Sequence, residues 1–177
     1  MFKLPSWLQA TSNSNFKLDL DQMDSKSLYK KIIMDIKENV DFNSANLLIL
    51  NKKEKKLENV AKYGNDCNLI RTMNFKMGHG LSAWLAQKKR YVCLPDIHRG
   101  ARHMHNPIRS FAAIPIIYND TVIGVLNLAH IVPNAFGPKQ LDVLMKMIES
   151  LAPQLNDLIS RAIPQGDVSV ERQNITH

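Results

Sequence analysis

With 177 residues, 45% of them apolar and 22% charged, the chain has the length and composition of one compact domain with a sizeable core and short tails. It holds no run of about eighteen apolar residues, and its opening MFKLPSWLQATSNSN is too poor in apolar residues for a secretion signal, so a cytoplasmic protein without a membrane span is expected. The net charge of +7 invites a nucleic-acid reading, but recognition-helix, aromatic-sheet and zinc-finger patterns are missing and no nucleic-acid partner is expected.

Residues 1–23 form an N-terminal extension in which TSNSN reads as linker and Trp7 as the group suited to docking. From Asp24 the pattern turns helical, with Leu28, Ile32, Ile33 and Ile36 on one face and Ser25 as candidate cap. ANLLILN (45–51) predicts a buried strand and LENVAKYG (57–64) its hairpin partner, with the lysine-rich NKKEKKL as a solvated tip. TMNFKM (72–77) predicts a third strand closing on Gly78-His79-Gly80, where the glycines allow close approach to a short helix over LSAWLAQ (81–87). RYVCL (90–94) predicts another short strand. After a loop, FAAIPII (111–117) and TVIGVLNLAH (121–130) form a hairpin about Tyr118-Asn119-Asp120. A long amphipathic helix starts near Pro138, its apolar stripe marked by Leu141, Leu144, Met145, Ile148, Leu151, Leu155 and Ile159. Pro164-Gln165-Gly166 ends it, and residues 163–177 form a polar tail or the start of a linker to an effector. This order of elements predicts an α+β domain over 24–162, a mainly antiparallel sheet with helices on one side.

The segment LPDIHRGARHMHNPIRSFAAIPI (94–116) is the unusual part. It gathers His98, His103 and His105 with Arg99, Arg102 and Arg109 against the single acid Asp96, then returns at once to an apolar strand. Such a loop creates a positive field suited to phosphate or another anion, which the arginines could pair. The histidines, with Met104, could instead ligate haem, although the spacing of a usual metal site is missing. The two cysteines, Cys67 and Cys93, lack C-x-x-C spacing and are expected as reduced thiols. Asn127 lies among apolar neighbours, and a buried amide needs a partner, either ligand or backbone.

The ordered series GHGLSAWLA (78–86), VCLPD (92–96), SFAAIPI (110–116), VIGVLNL (122–128) and Phe136 resembles a GAF domain over about 24–162. The resemblance implies a six-stranded antiparallel sheet with the first and last helices on one face. On the other face it implies a ligand pocket, covered by the short helix and by the loop after the fourth strand. It puts Tyr63 at the pocket rim and Ala113 and Asn127 on its floor. Trp84 falls on the covering helix, where its ring could stack a base, and Asp96, His98, Arg99, Arg102, His103 and Arg109 fall in the lid.

GAF domains bind cyclic nucleotides, tetrapyrroles, haem, amino acids and small metabolites, so the resemblance does not fix the ligand. The signature of the family's cyclic-nucleotide binders, Asn-Lys, then Phe, then Asp-Glu, is degraded here: His130-Ile131 stand in the Asn-Lys slot, Phe136 fits, and the acidic slot is shifted toward Asp142. Relatives that reduce free methionine sulfoxide carry Asp-x-His and then a reactive cysteine in the lid. Asp96-Ile97-His98 matches the first half, but no cysteine lies between His98 and Ser110, so no enzyme activity is expected. The expectation is a regulatory sensory domain whose leading ligand is a cyclic nucleotide, cAMP before cGMP, with no certain cofactor. The alternatives are a haem or metabolite sensor, and a dimerisation module with a vestigial pocket. A homodimer through the terminal helices and an attached or separate effector are the expected partners; no effector motif follows Ile163.

Overall fold

A computed structural model describes residues 24–64, 88–97 and 108–162. Helix α1 (Ser25–Asn39) starts at Asp24, whose carboxylate accepts a hydrogen bond from the Ser27 amide at 3.0 Å. The cap thus lies one residue before the serine expected from the sequence. A carboxylate there satisfies an amide without an intrahelical partner and also faces the positive end of the helix dipole. The apolar face, Leu28, Tyr29, Ile32, Ile33 and Ile36, is buried, and the helix stops where Val40 turns extended.

Strands β1 (Ser44–Asn51) and β2 (Lys56–Tyr63) form the expected antiparallel hairpin. Its tip is held by Asn51, whose Oδ1 accepts from the Lys53 and Glu54 amides at 3.0 and 3.1 Å. Strand β3 is short (Val92–Leu94), and β4 (Ser110–Tyr118) and β5 (Thr121–His130) form the second hairpin. Asn119 and Asp120, at φ 45 and 59, are both left-handed, the turn geometry whose twist matches paired strands. Helix α2 (Pro138–Ala162) passes through Pro153, which lies on its exposed side while Leu151, Ala152 and Leu155 are buried opposite. The missing amide costs a helical bond, and burial of the apolar stripe outweighs that loss.

The five strands form one antiparallel sheet in the order β2-β1-β5-β4-β3. Side chains alternate across it. Ala45, Leu47, Ile49, Ile114, Ile116, Leu126 and Leu128 join α1 and α2 in the main core, while Leu48, Phe111, Ala113, Val125 and Ala129 form a second cluster on the other face. Gly124 lies where β1 and β5 are closest: a Cβ there would meet the Leu48 carbonyl oxygen at 2.5 Å. The expected α+β class and antiparallel sheet are present. The further strand expected at 72–77 and the short helix at 81–87 lie outside the described residues, as do 1–23 and 163–177. Among the described residues no helix is long and apolar enough to cross a membrane.

Candidate functional site

The sheet face turned away from the helices carries the chemistry of interest. One row of residues in register runs across it, from Val92 on β3 through Ala113, Asn127 and Asn46 to Lys62 on β2. The row passes from apolar through amide to charged, from the β3 edge of the sheet across its buried middle to the exposed β2 edge. Asn127 is wholly buried, and neither its Nδ2 nor its Oδ1 has a hydrogen-bond partner among the described residues. An unmade bond of this kind costs about 1–3 kcal/mol. The other buried polar groups near the end of β5 are satisfied: Ser110 Oγ donates to the Val132 carbonyl at 2.8 Å, and His130 is bonded through both ring nitrogens. Ala113 is directly opposite Asn127 and Ala129 lies two steps along the same strand, so the amide's neighbours there are small apolar side chains.

At one margin of this face stand the two ends of the basic loop. Arg109 makes a bidentate pair with Asp96, Nε to Oδ1 at 2.9 Å and Nη2 to Oδ2 at 3.0 Å. The backbone repeats the link, since the Ile97 amide donates to the Arg109 carbonyl at 2.7 Å and the Arg109 amide to the His130 carbonyl at 2.8 Å. Arg109, expected as an anion contact, is therefore already charge-paired and ties the foot of the loop together. Its expected companions His98, Arg99, Arg102 and His103, and Trp84, lie outside the described residues.

Tyr63, expected at the pocket rim, is on the helix side. Its ring packs edge-on against Phe42 with centroids 5.5 Å apart, and Lys37 Nζ lies 5.9 Å from its centre. The reason is register: Tyr63 pairs with Ala45, whose side chain faces the helices. Cys93 also faces the main core and donates to the Phe136 carbonyl at 3.4 Å. Burial pushes its thiol pKa up, the opposite of what activates a nucleophile. His130, in the slot expected to mark a nucleotide signature, supports the fold. The Val132 amide donates to its Nδ1 at 2.9 Å, which leaves the proton on Nε2, facing Asp41 Oδ2 at 3.3 Å. Hydrogen bonds from Lys37 and then His130 hold the Asp41 carboxyl below the usual carboxylate range.

A cleft of about 800 Å³ opens elsewhere, on the helix side, between α2 (Met145, Glu149) and the Lys89–Tyr91 stretch beside β4. It holds no unpaired buried polar group, and its inner wall is the main core, so the Asn127 face is the better candidate. Among the described residues no cluster of His, Cys, Asp and Glu is arranged to hold a metal. The second asparagine, Asn46, went unnoticed in the sequence although it carries the same signal as Asn127: an amide within an apolar strand, ANLLILN.

The family model for GAF domains matches residues 22–155. The chain belongs to the GAF domain family. Among curated proteins, none matches. Solved structures similar to this GAF domain include the GAF domain from an Acinetobacter phosphoenolpyruvate-protein phosphotransferase, 15% identical, with a TM-score of 0.65 over 88% of this chain and 92% of that one. The type II free methionine-R-sulfoxide reductase from Thermoplasma acidophilum is 18% identical, with a TM-score of 0.62 over 76% and 96%. A domain ascribed to a two-component sensor histidine kinase protein from Sinorhizobium meliloti 1021 is 12% identical, with a TM-score of 0.61 over 82% and 100%. At these identities the likeness is one of fold. The family is a sensory and regulatory one, and the fold also serves a reductase.

Proposed function

We propose that this GAF domain is a cytoplasmic regulatory sensor that binds a small ligand on the sheet face around Asn127 and passes the signal to an attached or separate effector. The observation that carries this reading is the buried Asn127 carboxamide, left without a partner opposite the small Ala113. A folded chain gains nothing from such a group unless something outside the described residues bonds it. A binding role is favoured over catalysis because Cys93, the described thiol, faces the other side with its pKa raised, and the sequence holds no cysteine between His98 and Ser110.

The leading ligand is a cyclic nucleotide, cAMP before cGMP. A carboxamide offers one donor and one acceptor side by side, which match the 6-amino group and N7 of adenine; the same edge of guanine offers two acceptors. With Arg109 engaged by Asp96, the arginines left for the phosphate are Arg99 and Arg102. A homodimer through the outer faces of α1 and α2 is the proposed assembly, with Met34, exposed on α1, as its apolar element.

Isothermal titration with cAMP, with cGMP and AMP as controls, tests the reading, and melting curves check it because a ligand specific to the folded state raises Tm. Saturable binding of cAMP alone is expected. Absence of both heat and Tm shift with all three nucleotides would remove the cyclic-nucleotide assignment.

A further inference from the structure

Asn46 stands beside Asn127 in the β1–β5 register, and Leu48 and Leu50, the next residues on that face of β1, pack into the smaller cluster with Val125. Two carboxamides thus lie side by side on the face away from the helices, one half-buried and one fully buried. Opposed residues of antiparallel strands have Cβ atoms about 4.5–5.5 Å apart, close enough for amides to bond each other. Yet the Asn127 amide bonds to nothing described, Asn46 included. Lys62, in register with Asn46, is the charged residue at the β2 end of the row, and Leu48, Phe111 and Val125 belong to the apolar cluster on the same face. The charges at its margin, Asp96 and Arg109, are bonded to one another.

Building on the reading of this face as the ligand site, we infer that Asn46 and Asn127 form a two-amide strip that reads an uncharged ligand edge with neighbouring donors and acceptors. Amides, lactams and aminopurines carry such edges. Each carboxamide supplies an NH₂ donor and an oxygen acceptor, so the pair presents alternating polarity along one line. An ionised group placed at the buried Asn127 end of the strip would be stripped of water among apolar neighbours, so the ligand's charged end lies away from Asn127. The unpaired amide is a cost to the ligand-free fold, and the ligand removes it. Asn127 is accordingly a specificity-determining residue whose apolar replacement leaves the fold at least as stable.

The test uses the full chain and the variants Asn127→Leu, Asn127→Ala and Asn46→Ala, with melting curves and titrations of cAMP and its analogue lacking the 6-amino group. Asn127→Leu or Asn127→Ala is expected to melt about 3 °C or more above the original chain. The Leu variant should lose cAMP affinity by a factor of about 100 and Asn46→Ala by about ten, while the original chain rejects the desamino analogue. Two results would overturn the inference. One is that both position-127 variants melt more than about 5 °C below the original chain, which would give the amide a partner within the protein. The other is unchanged cAMP affinity in the variants. If the original chain binds neither nucleotide, the choice of cAMP fails, and the melting temperatures still decide whether Asn127 is a cost to the fold.

Discussion

The Asp96–Arg109 pair holds two fork-like contacts with side chains that are 31% and 42% exposed, so solvent screens part of its attraction. A bidentate pair in this setting is worth about 1 kcal/mol. A double-mutant cycle with Asp96→Ala and Arg109→Ala, read by chemical denaturation, is expected to show coupling of that size; additive losses would leave the backbone bonds of Ile97 and Arg109 as the link. Asp35 on α1 offers a second check at this scale. Burial raises its pKa from 3.8 to about 6, with Lys31 opposing and Glu38 adding to the shift. Below about pH 4 the carboxyl is protonated in the folded and unfolded chain alike, and no penalty exists. Between there and about pH 6 the folded chain keeps a proton that the unfolded chain has released, so stability falls as pH rises. Two pH units correspond to nearly 3 kcal/mol, discounted to roughly 1 kcal/mol because the group is partly exposed. Asp35→Asn should therefore be the more stable protein at pH 7 and indistinguishable at pH 3.5, measured by urea unfolding at both values; an equal gain at both would exclude the titration as its cause.

Among the elements, β5 is the central strand of the described sheet, with β1 and β2 on one side and β4 and β3 on the other. Gly124 lets it approach β1, where an added Cβ would crowd the Leu48 carbonyl at 2.5 Å and Ile49 Cδ1 at 3.1 Å. Gly124→Ala should destabilise by more than about 2 kcal/mol, because the obstructing atom is backbone and cannot rotate away. Retention of the original melting temperature would show that the two strands can part without loss. The same elements show what a sequence reveals. β4 and β5 were readable because burial on both faces gives nearly continuous apolar runs, and their hairpin because Asn119-Asp120 accommodates positive φ. α2 was readable through Pro153 because its apolar period continues on the far side of the helix. Asn127 was readable because an amide stands out in an apolar run. The Asp96–Arg109 pair was not, since nothing in the twelve residues between them says that the two ends of the loop meet. Tyr63 was given to the pocket rim by the family resemblance; the irregularity between Leu47 and Leu48 shifts the β1–β2 register and turns it to the helix side, which strand alternation in the sequence does not reveal.

At the scale of the molecule, the proposed sensing role requires a change on the Asn127 face to reach the helices, and His130 bonds to the connections on both sides. It ends β5, three residues beyond Asn127. Its ring bonds Asp41 in the α1–β1 connection and Val132 in the connection to α2. Asp41 is held in turn by Lys37 of α1, and the Val132 carbonyl by Ser110 of β4. One side chain thus joins the end of β5 to the α1–β1 connection and to the segment leading to α2, and we propose that a displacement of β5 is passed on through it, whereas the packed core between sheet and helices resists deformation. His130→Ala removes both ring bonds and leaves the Val132 amide without its acceptor, while the Asn127 row keeps its residues. Hydrogen exchange should show faster exchange at Ile131 and Val132 in the variant. With saturating ligand, protection should still rise along β5 but no longer reach the C-terminal turn of α1 or the first turn of α2. If protection of both helices rises as it does in the original chain, the signal passes through the core instead, and His130 serves only to fasten the end of its strand.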